Sequence, residues 1–533
     1  MSDLNEYIVT LYNKDDLDDF YDDMETPGGN LYIPDRSVEC SLRREISRNT
    51  HYLLTPEEVE QIKNDPRVMS VEPLPSELGM VVRPLYTQTS TSWNKSSSDV
   101  STHKNWGLLR CVQGSQIANW GSNGTASQTG TIQVNAEGKN VDVVIVDGMI
   151  NPAHPEFARN ANGTGGSRVV QYNWRGYLGQ TYTYTPYIDA GNATRTSDND
   201  HGMHVAGTAV GNTQGWARSA NIYNINPYST DINSVDPLLV IDHIRNFHNT
   251  KAINPATGIK NPTICNHSWG YGYDLPISGI SSVVYRGVVY NAPFTESQLL
   301  NYGIIASNGQ VFGPSRVNAL DQDMIDAIND GIIMVGAASN DYMKVDVVGG
   351  TDYNNRFIWS GFNVFYHRGS SPGAATNTIC VGAISSLVNE TKADFSNCGP
   401  RVDVYAPGQG IMSSLHTGGV FDPRDVNYRI GKYQGTSMAS PQVCGVLACA
   451  LEIYPRMRQA EALAYIKHYA KTGQITNTAG SYSDFTSLQG SGNRYLFYYK
   501  ERKDSGYVFP KNNYKIRTTG VQKYPRTRIR RTI

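Results

Sequence analysis

The sequence predicts an α/β protein with a mostly parallel central sheet flanked by helices, preceded by a small α+β unit. Two short, almost wholly apolar runs carry the first part: Val141–Val146, interrupted only by Asp142, and Gly331–Ala338. Such runs suit parallel strands covered on both faces. A helical pattern over Ala319–Asn329 precedes the second run, and strands alternating with helices indicate a parallel sheet. Functional groups in such sheets gather beyond the carboxyl ends of strands. The residues after Val146 and after Ala338 are therefore the places to search.

The α+β unit reads in order from the N-terminus. Glu6–Tyr12 is rich in β-branched and aromatic residues and predicts a strand. Leu17, Phe20, Tyr21 and Met24 fall at i, i+3, i+4 and i+7, which predicts a helix with one apolar stripe and an acidic back. Thr55-Pro56-Glu57-Glu58 starts a second helix: Thr55 caps, Pro56 suits the first turn, and Glu58 completes a capping box. Asn64-Asp65-Pro66 stops it, and Val68–Glu72 predicts a short strand. Residues 1–75 are assigned to this unit. The stretch 76–104, Ser/Thr-rich over 87–104, reads as a linker, 105–500 as the larger domain with an insertion at about 271–320, and 501–533 as a basic tail.

Composition sets outer bounds. The 533 residues carry 46 Lys+Arg against 48 Asp+Glu, a net charge of -2, which argues against nucleic acid as the main partner. No run of ~18 apolar residues occurs, so no transmembrane helix is expected. Seven acids lie within Asp15–Glu25, and eight bases with no acid within Lys511–Ile533; both read as solvated surface, and the tail would also suit an acidic or assembly partner. Seven scattered cysteines without a CxxC pair read as reduced, buried thiols and give no zinc pattern. The first residues show no basic segment followed by an apolar one, so the chain is expected to be intracellular or virion-associated rather than classically secreted.

Three segments carry chemistry. Asp147 directly follows the first apolar run; alone it reads equally as a capping Asp in a βα turn. His201 and His204 stand at i and i+3 in Asp200-His201-Gly202-Met203-His204-Val205-Ala206-Gly207-Thr208, where a metal pair competes with a tightly packed helix bearing an accessible His at its start. Ser437 lies in Gly435-Thr436-Ser437-Met438-Ala439-Ser440-Pro441 ahead of an apolar helix ending before Pro455, as a nucleophile at the positive end of a helix or as a simple N-cap. Together they supply acid, base and hydroxyl in the order Asp, His, Ser, the set that serine nucleophilic catalysis needs.

With these motifs the chain resembles the subtilisin-like serine proteases (subtilases). VVIVDGMINPAHPEF, DHGMHVAGTAVG and GTSMASPQVCGV resemble the family's Asp, His and Ser segments. Asn266–Gly270 resembles its substrate-binding strand, Val335–Asn340 the strand ending in its oxyanion-hole Asn, Asp403–Gly408 a loop before the nucleophile, and Trp106–Arg110 the start of many mature domains. The resemblance implies a subtilisin-like fold, catalysis by Asp147, His201 and Ser437, an oxyanion hole from Asn340 and the Ser437 N–H, and substrate pairing along Ser268, Trp269 and Gly270. It also implies that the N-terminal unit is a ferredoxin-like propeptide acting as intramolecular inhibitor, with self-cleavage within 73–104. No cofactor is required for that chemistry; structural calcium, common in the family, is not readable here, where no compact Asp-rich loop occurs.

Five positions depart from the family. Gly148 and Met149 replace Ser or Thr and then Gly, removing a donor to the carboxylate; Met203 replaces Thr, and Ser339 replaces Gly. Trp269 replaces a smaller residue and either reshapes the substrate pocket or simply packs. The insertion, with Tyr285, Tyr290 and Tyr302 in segment 282–315, reads as a lid or partner surface. The leading expectation is a serine endopeptidase acting on polypeptides and made as a zymogen; the alternative is a structural or virion-associated binding component that keeps the fold.

Overall fold

The computed structural model describes residues 4–33, 38, 40–44, 46–78, 81–84, 105–117, 132, 134–178, 184–190, 200–228, 233–387, 389–477, 480 and 482–499. The chain divides into two compact units, Met1–Tyr499 and Lys500–Ile533. The second, with the basic tail, lies outside the described residues.

The N-terminal module runs β1 (Asn5–Leu11), α1 (Leu17–Glu25), β2 (Cys40–Leu42), β3 (Asn49–Leu54), α2 (Pro56–Lys63) and β4 (Val68–Pro73). Its antiparallel sheet has the order β2-β3-β1-β4, the ferredoxin-like arrangement. Leu17, Phe20, Tyr21 and Met24 are the buried face of α1, and Thr55 and Glu58 form the reciprocal capping box of α2. Of the stretch read as a linker, β5 (Val81–Pro84) is a strand, and residues 85–104 lie outside the described residues.

The larger domain follows with α3 (Trp106–Gln113), β6 (Asp142–Val146), β7 (Val169–Val170), α4 (Asp200–Val210), β8 (Asn221–Ile225), α5 (Val240–Thr250), β9 (Thr263–His267) and β10 (Trp269–Pro276). Next come β11 (Ile280–Tyr285), β12 (Val288–Asn291), α6 (Glu296–Asn301), β13 (Ala306–Ser307), β14 (Gln310–Pro314), α7 (Asn318–Asp330), β15 (Ile333–Ala337), β16 (Arg356–Trp359) and β17 (Phe362–Phe365). The chain ends in β18 (Ile379–Ile384), β19 (Val404–Pro407), β20 (Ile411–Leu415), β21 (Val420–Asp422), β22 (Asp425–Tyr433), α8 (Thr436–Ile453), α9 (Gln459–Tyr469), β23 (Lys471–Thr472) and β24 (Arg494–Tyr495).

The central sheet has the order β23-β24-β19-β18-β15-β9-β6-β8-β7, parallel except where β23 meets β24. Both predicted apolar runs, β6 and β15, lie inside it and are buried along their whole length. That is why they read as unbroken apolar stretches rather than alternating ones.

The insertion differs from a lid. Its strands β11 and β12 join β16 and β17, which belong to a second excursion of the chain, in one four-stranded antiparallel sheet. This sheet covers its own apolar cluster, including Ile280, Val283, Leu299, Val311 and Phe357. Tyr302 packs against Tyr285 and Tyr290, with ring centroids 5.7 and 4.6 Å apart, and Tyr285 and Tyr302 lean on that cluster. All three are half-buried. All seven cysteines are unpaired thiols and six are buried.

The N-terminal module docks on α5 and α7 through polar groups. Arg44 is buried between Asp242 (Nε–Oδ2 2.9 Å) and Asp323 (Nη2–Oδ2 2.5 Å). Ser47 and Asn49 also bond Asp323, Arg48 pairs with Asp326, and Arg245 donates to the Ile46 carbonyl. Glu72 accepts the N–H groups of Asn318 and Ala319 at the start of α7, where a carboxylate suits the helix dipole. Burial pushes the Glu72 carboxyl up to about 7. A carboxyl that holds its proton more tightly when folded contributes stability that is present at low pH and lost as pH rises from about 4.5 to about 7. Replacing Glu72 by Gln removes that loss. The melting temperature of the Glu72→Gln chain, relative to its parent, is expected to be higher at pH 8 than at pH 5, measured with Ser437→Ala in both so that neither is cut. An unchanged difference between the two pH values would count against it.

Candidate active site

Asp147 leaves the end of β6, an interior strand of the sheet, and is fully buried. Its Oδ1 accepts the Gly148 N–H at 2.8 Å and a bond from His201 Nδ1 at 2.7 Å. A carboxylate can only accept, so Nδ1 carries the proton and Nε2 is left as the basic nitrogen. Gly148 thus supplies a backbone donor where the family has a hydroxyl, and Asp147 Oδ2 has no hydrogen-bond partner among the described residues. Met149 sits without a left-handed backbone, so its side chain is accommodated.

His201 is the second residue of α4, every residue of which is buried. The helix start can approach the strand end because residue 202 is glycine: a Cβ there would stand 2.2 Å from the Gly148 carbonyl oxygen. Met203 turns its thioether to the Asn151 N–H at 3.1 Å. The metal-pair reading of His201 and His204 is not the arrangement found. His204 Nε2 bonds the Ile411 carbonyl at 2.7 Å, and its ring stacks on Tyr433 at 4.8 Å between centroids. Burial pushes His204 down to about 3, so it is a neutral packing residue. Asp200, which sequence reasoning passed over, accepts N–H bonds from His416 and Thr417 and the Thr417 hydroxyl, tying the turn after β20 to the start of α4.

Ser437 is the second residue of α8, and Gly435 holds the N-cap position. The N-cap reading of Ser437 is thereby replaced. Gly435 has φ 151° and ψ 162°, a conformation open essentially to glycine alone. The Ser437 hydroxyl donates to the Ser268 carbonyl at 3.1 Å, and the Ser268 hydroxyl donates to the Ser437 carbonyl at 3.1 Å. Asn266 bonds both Ser268 and Ser440, linking β9 to α8. The helices α4 and α8 pack on each other, so both helix starts lie at one end of the sheet.

Asn340 follows β15. Its Oδ1 accepts both the N–H and the hydroxyl of Thr436 at 2.9 Å, which orients the side chain and leaves Nδ2 as a donor beside the start of α8. Ser339 before it has φ 85° and is buried, with no partner for its hydroxyl among the described residues.

Ser268, Trp269 and Gly270 run along the neighbouring edge. The backbone of β10 pairs antiparallel with β5: Trp269 opposite Pro84, Gly270 opposite Arg83, Tyr271 opposite Val82 and Gly272 opposite Val81. Gly270 is required by crowding, since a Cβ would stand 2.2 Å from Ser370 Oγ. The Trp269 indole is fully buried in the main core cluster with Tyr271, Val317 and Met324, so only its backbone serves this edge. Among the described residues no group of three or more His, Cys, Asp or Glu is disposed to hold a metal ion.

A model of the Subtilase family matches residues 138–492. The chain is 26% identical over 428 residues to an extracellular serine proteinase of Thermus sp. (strain Rt41A), covering 80% of this chain and 72% of that protein. It is 24% identical over 430 residues to alkaline serine exoprotease A of Vibrio alginolyticus, covering 80% of this chain and 56% of that protein. Among solved structures, fervidolysin from Fervidobacterium pennivorans, a keratinolytic enzyme related to subtilisin, shares the fold with a TM-score of 0.52 and 17% identity, covering 92% of this chain and 60% of that one.

Relieving the left-handed residue gives a direct check on the Asn340 loop. A non-glycine residue in that conformation costs on the order of 1–2 kcal/mol, and the unpartnered hydroxyl adds to it. Ser339→Gly is expected to raise the unfolding free energy by about 1 kcal/mol after the backbone entropy of glycine is subtracted. Denaturant unfolding measures it; a fall in stability would show that the serine has a role not described above.

Proposed function

The chain belongs to the subtilase family of peptide-bond-hydrolysing serine proteases, and on that premise we propose a serine endopeptidase acting through Asp147, His201 and Ser437 and made as a zymogen. The observation that carries the reading is the 2.7 Å bond from His201 to the buried Asp147, with Ser437 at the start of the helix packed against that of His201. In the reaction the Ser437 hydroxyl turns from the Ser268 carbonyl to His201, which takes its proton as the oxygen attacks the substrate carbonyl. Asp147 holds the imidazole in the right tautomer and stabilises the imidazolium. His201 then returns the proton to the leaving amine, and water repeats the sequence on the acyl-enzyme.

Asn340 Nδ2 and the Ser437 N–H would bind the oxyanion at the helix start, where orphan N–H groups and the dipole favour negative charge. Loss of one such donor costs ~10²–10³ in kcat, a magnitude taken over from subtilisin itself. The polypeptide substrate would lie as an added strand on Ser268–Gly270, its main-chain groups paired by the protein.

The zymogen reading is supported by β5, which takes that same edge in the uncut chain. Strand β5 ends at Pro84 opposite Trp269, next to Ser268, whose carbonyl accepts from Ser437. We therefore assign the bond between Leu85 and Tyr86 as the processing site, with residues 1–85 staying on as a bound inhibitor until released.

A fluorophosphonate probe tests the chemistry: labelling of the processed chain is expected and should vanish in Ser437→Ala. Absent labelling after removal of the N-terminal module would favour the binding-component reading. N-terminal sequencing tests the register; the mature chain is expected to begin at Tyr86, and Ser437→Ala to stay uncut. A mature start elsewhere overturns the assignment while leaving the triad intact.

A further inference from the structure

We propose that Lys392 is a positioning residue for Asn340, acting through a loop closed around its ammonium group; the inference rests on the reading of Asn340 as oxyanion donor. Lys392 is 1% exposed, a burial that a lysine ammonium reaches only when its donors are matched. Its partners are carbonyl oxygens, not carboxylates. Nζ donates to Ala393 O at 2.9 Å, Asp394 O at 3.0 Å and Ser396 O at 2.7 Å. Three N–H groups meet three carbonyls of the next four residues, so the side chain acts as a built-in cation about which the chain folds back.

The loop so closed supports Asn340 from both sides. The Asn397 N–H donates to the carbonyl of Ser339, and Asn397 Oδ1 accepts the N–H groups of Asp341 and Met343 at 3.0 and 2.9 Å. Asn397 Nδ2 reaches Asp341 Oδ2 at 3.1 Å, and Tyr342 donates its N–H to the Phe395 carbonyl. Every residue from 339 to 343 except Asn340 is thus bonded to Phe395 or Asn397. Among the described residues the Asn340 side chain bonds only forward, to Thr436. Ser339 and Tyr342 both have positive φ, 85° and 61°. A segment held in such conformations keeps them only while its surroundings over-determine it. Without Lys392, three inward carbonyls lose their donor, the loop has reason to reopen, and Asn340 loses its backing.

A double-mutant cycle reads this out. Lys392→Met, Asn340→Ala and the double variant are assayed on a peptide substrate, with kcat normalised to fluorophosphonate-titrated sites. Lys392→Met is expected to lower kcat ~10–100-fold with KM changed less than about threefold, as a misplaced transition-state donor does. In the Asn340→Ala background the same change should cost less than about threefold. If Lys392→Met folds poorly, Asn397→Asp tests the same link: it keeps the accepting oxygen but sets a second carboxylate against Asp341, and its kcat loss should likewise disappear with Asn340→Ala. Equal losses in both backgrounds, or an unchanged kcat, overturn the proposal. An Asn340→Ala chain with full kcat would instead sink the oxyanion reading beneath it.

Discussion

A carboxylate taken out of water must be paired where it stands, and the site is arranged around that need at Asp147. The residue is carried into the interior of the sheet by β6, beyond the reach of solvent. Its acceptor oxygen draws the start of α4 onto the strand end, and glycine at 202 is what lets the helix come so close. Small residues pass the constraint on. Gly207 lies under the Ser413 and Ser414 hydroxyls, and Gly445 of α8 lies against the Ala209 carbonyl, where an added Cβ would stand 2.6 Å from the oxygen. Helix α8 therefore has one seat on α4. The position of Ser437 relative to His201 follows from backbone contacts along the two helices.

This explains what was legible in the sequence. Gly435, Thr436 and Ser437, or His201 and Gly202, each combine a reactive group with a backbone demand that few residues meet, so the pattern survives as a string. The apolar runs of β6 and β15 were legible for the same reason, being buried on both faces. The role of Asp200 was not, because a polar residue whose partners, His416 and Thr417, stand far along the chain leaves no local trace. Strand β5 was missed because four residues beside a Ser/Thr-rich stretch become a strand only when the edge of β10 supplies their partners. Pairing of β11 with β16 joins two separate excursions of the chain, and nothing in either one announces the other.

Strand β10 links these features. Its first four residues pair with β5 and its last five with β14, sharing Gly272. One continuous strand is therefore both the edge proposed to hold substrate and the root of the inserted layer. Because that layer has its own apolar cluster, it stiffens the outer end of β10. The inserted sheet is better understood as a buttress for the substrate edge than as a cover over it.

The module that lies across this edge is held in an unusual way for a contact so largely buried. Its own core, with Phe20, Tyr52 and Ile62, is separate; of its side chains, Ile8 and Leu74 reach the main cluster. The rest is ionic: Arg44 between two aspartates, Arg48 on a third, Glu72 on the start of α7. A buried ion pair contributes less net stability than its geometry suggests, because both partners regain hydration on separation. It fixes register well, since a shifted pairing leaves a charge bare. Permanent interfaces are more apolar than this. The inhibitor role proposed for the module, which would set the register of a cleavage and then depart, has use for such a contact. While the chain is intact, the covalent link keeps the module's effective concentration high. The proposed cleavage would let water compete for each of those charges.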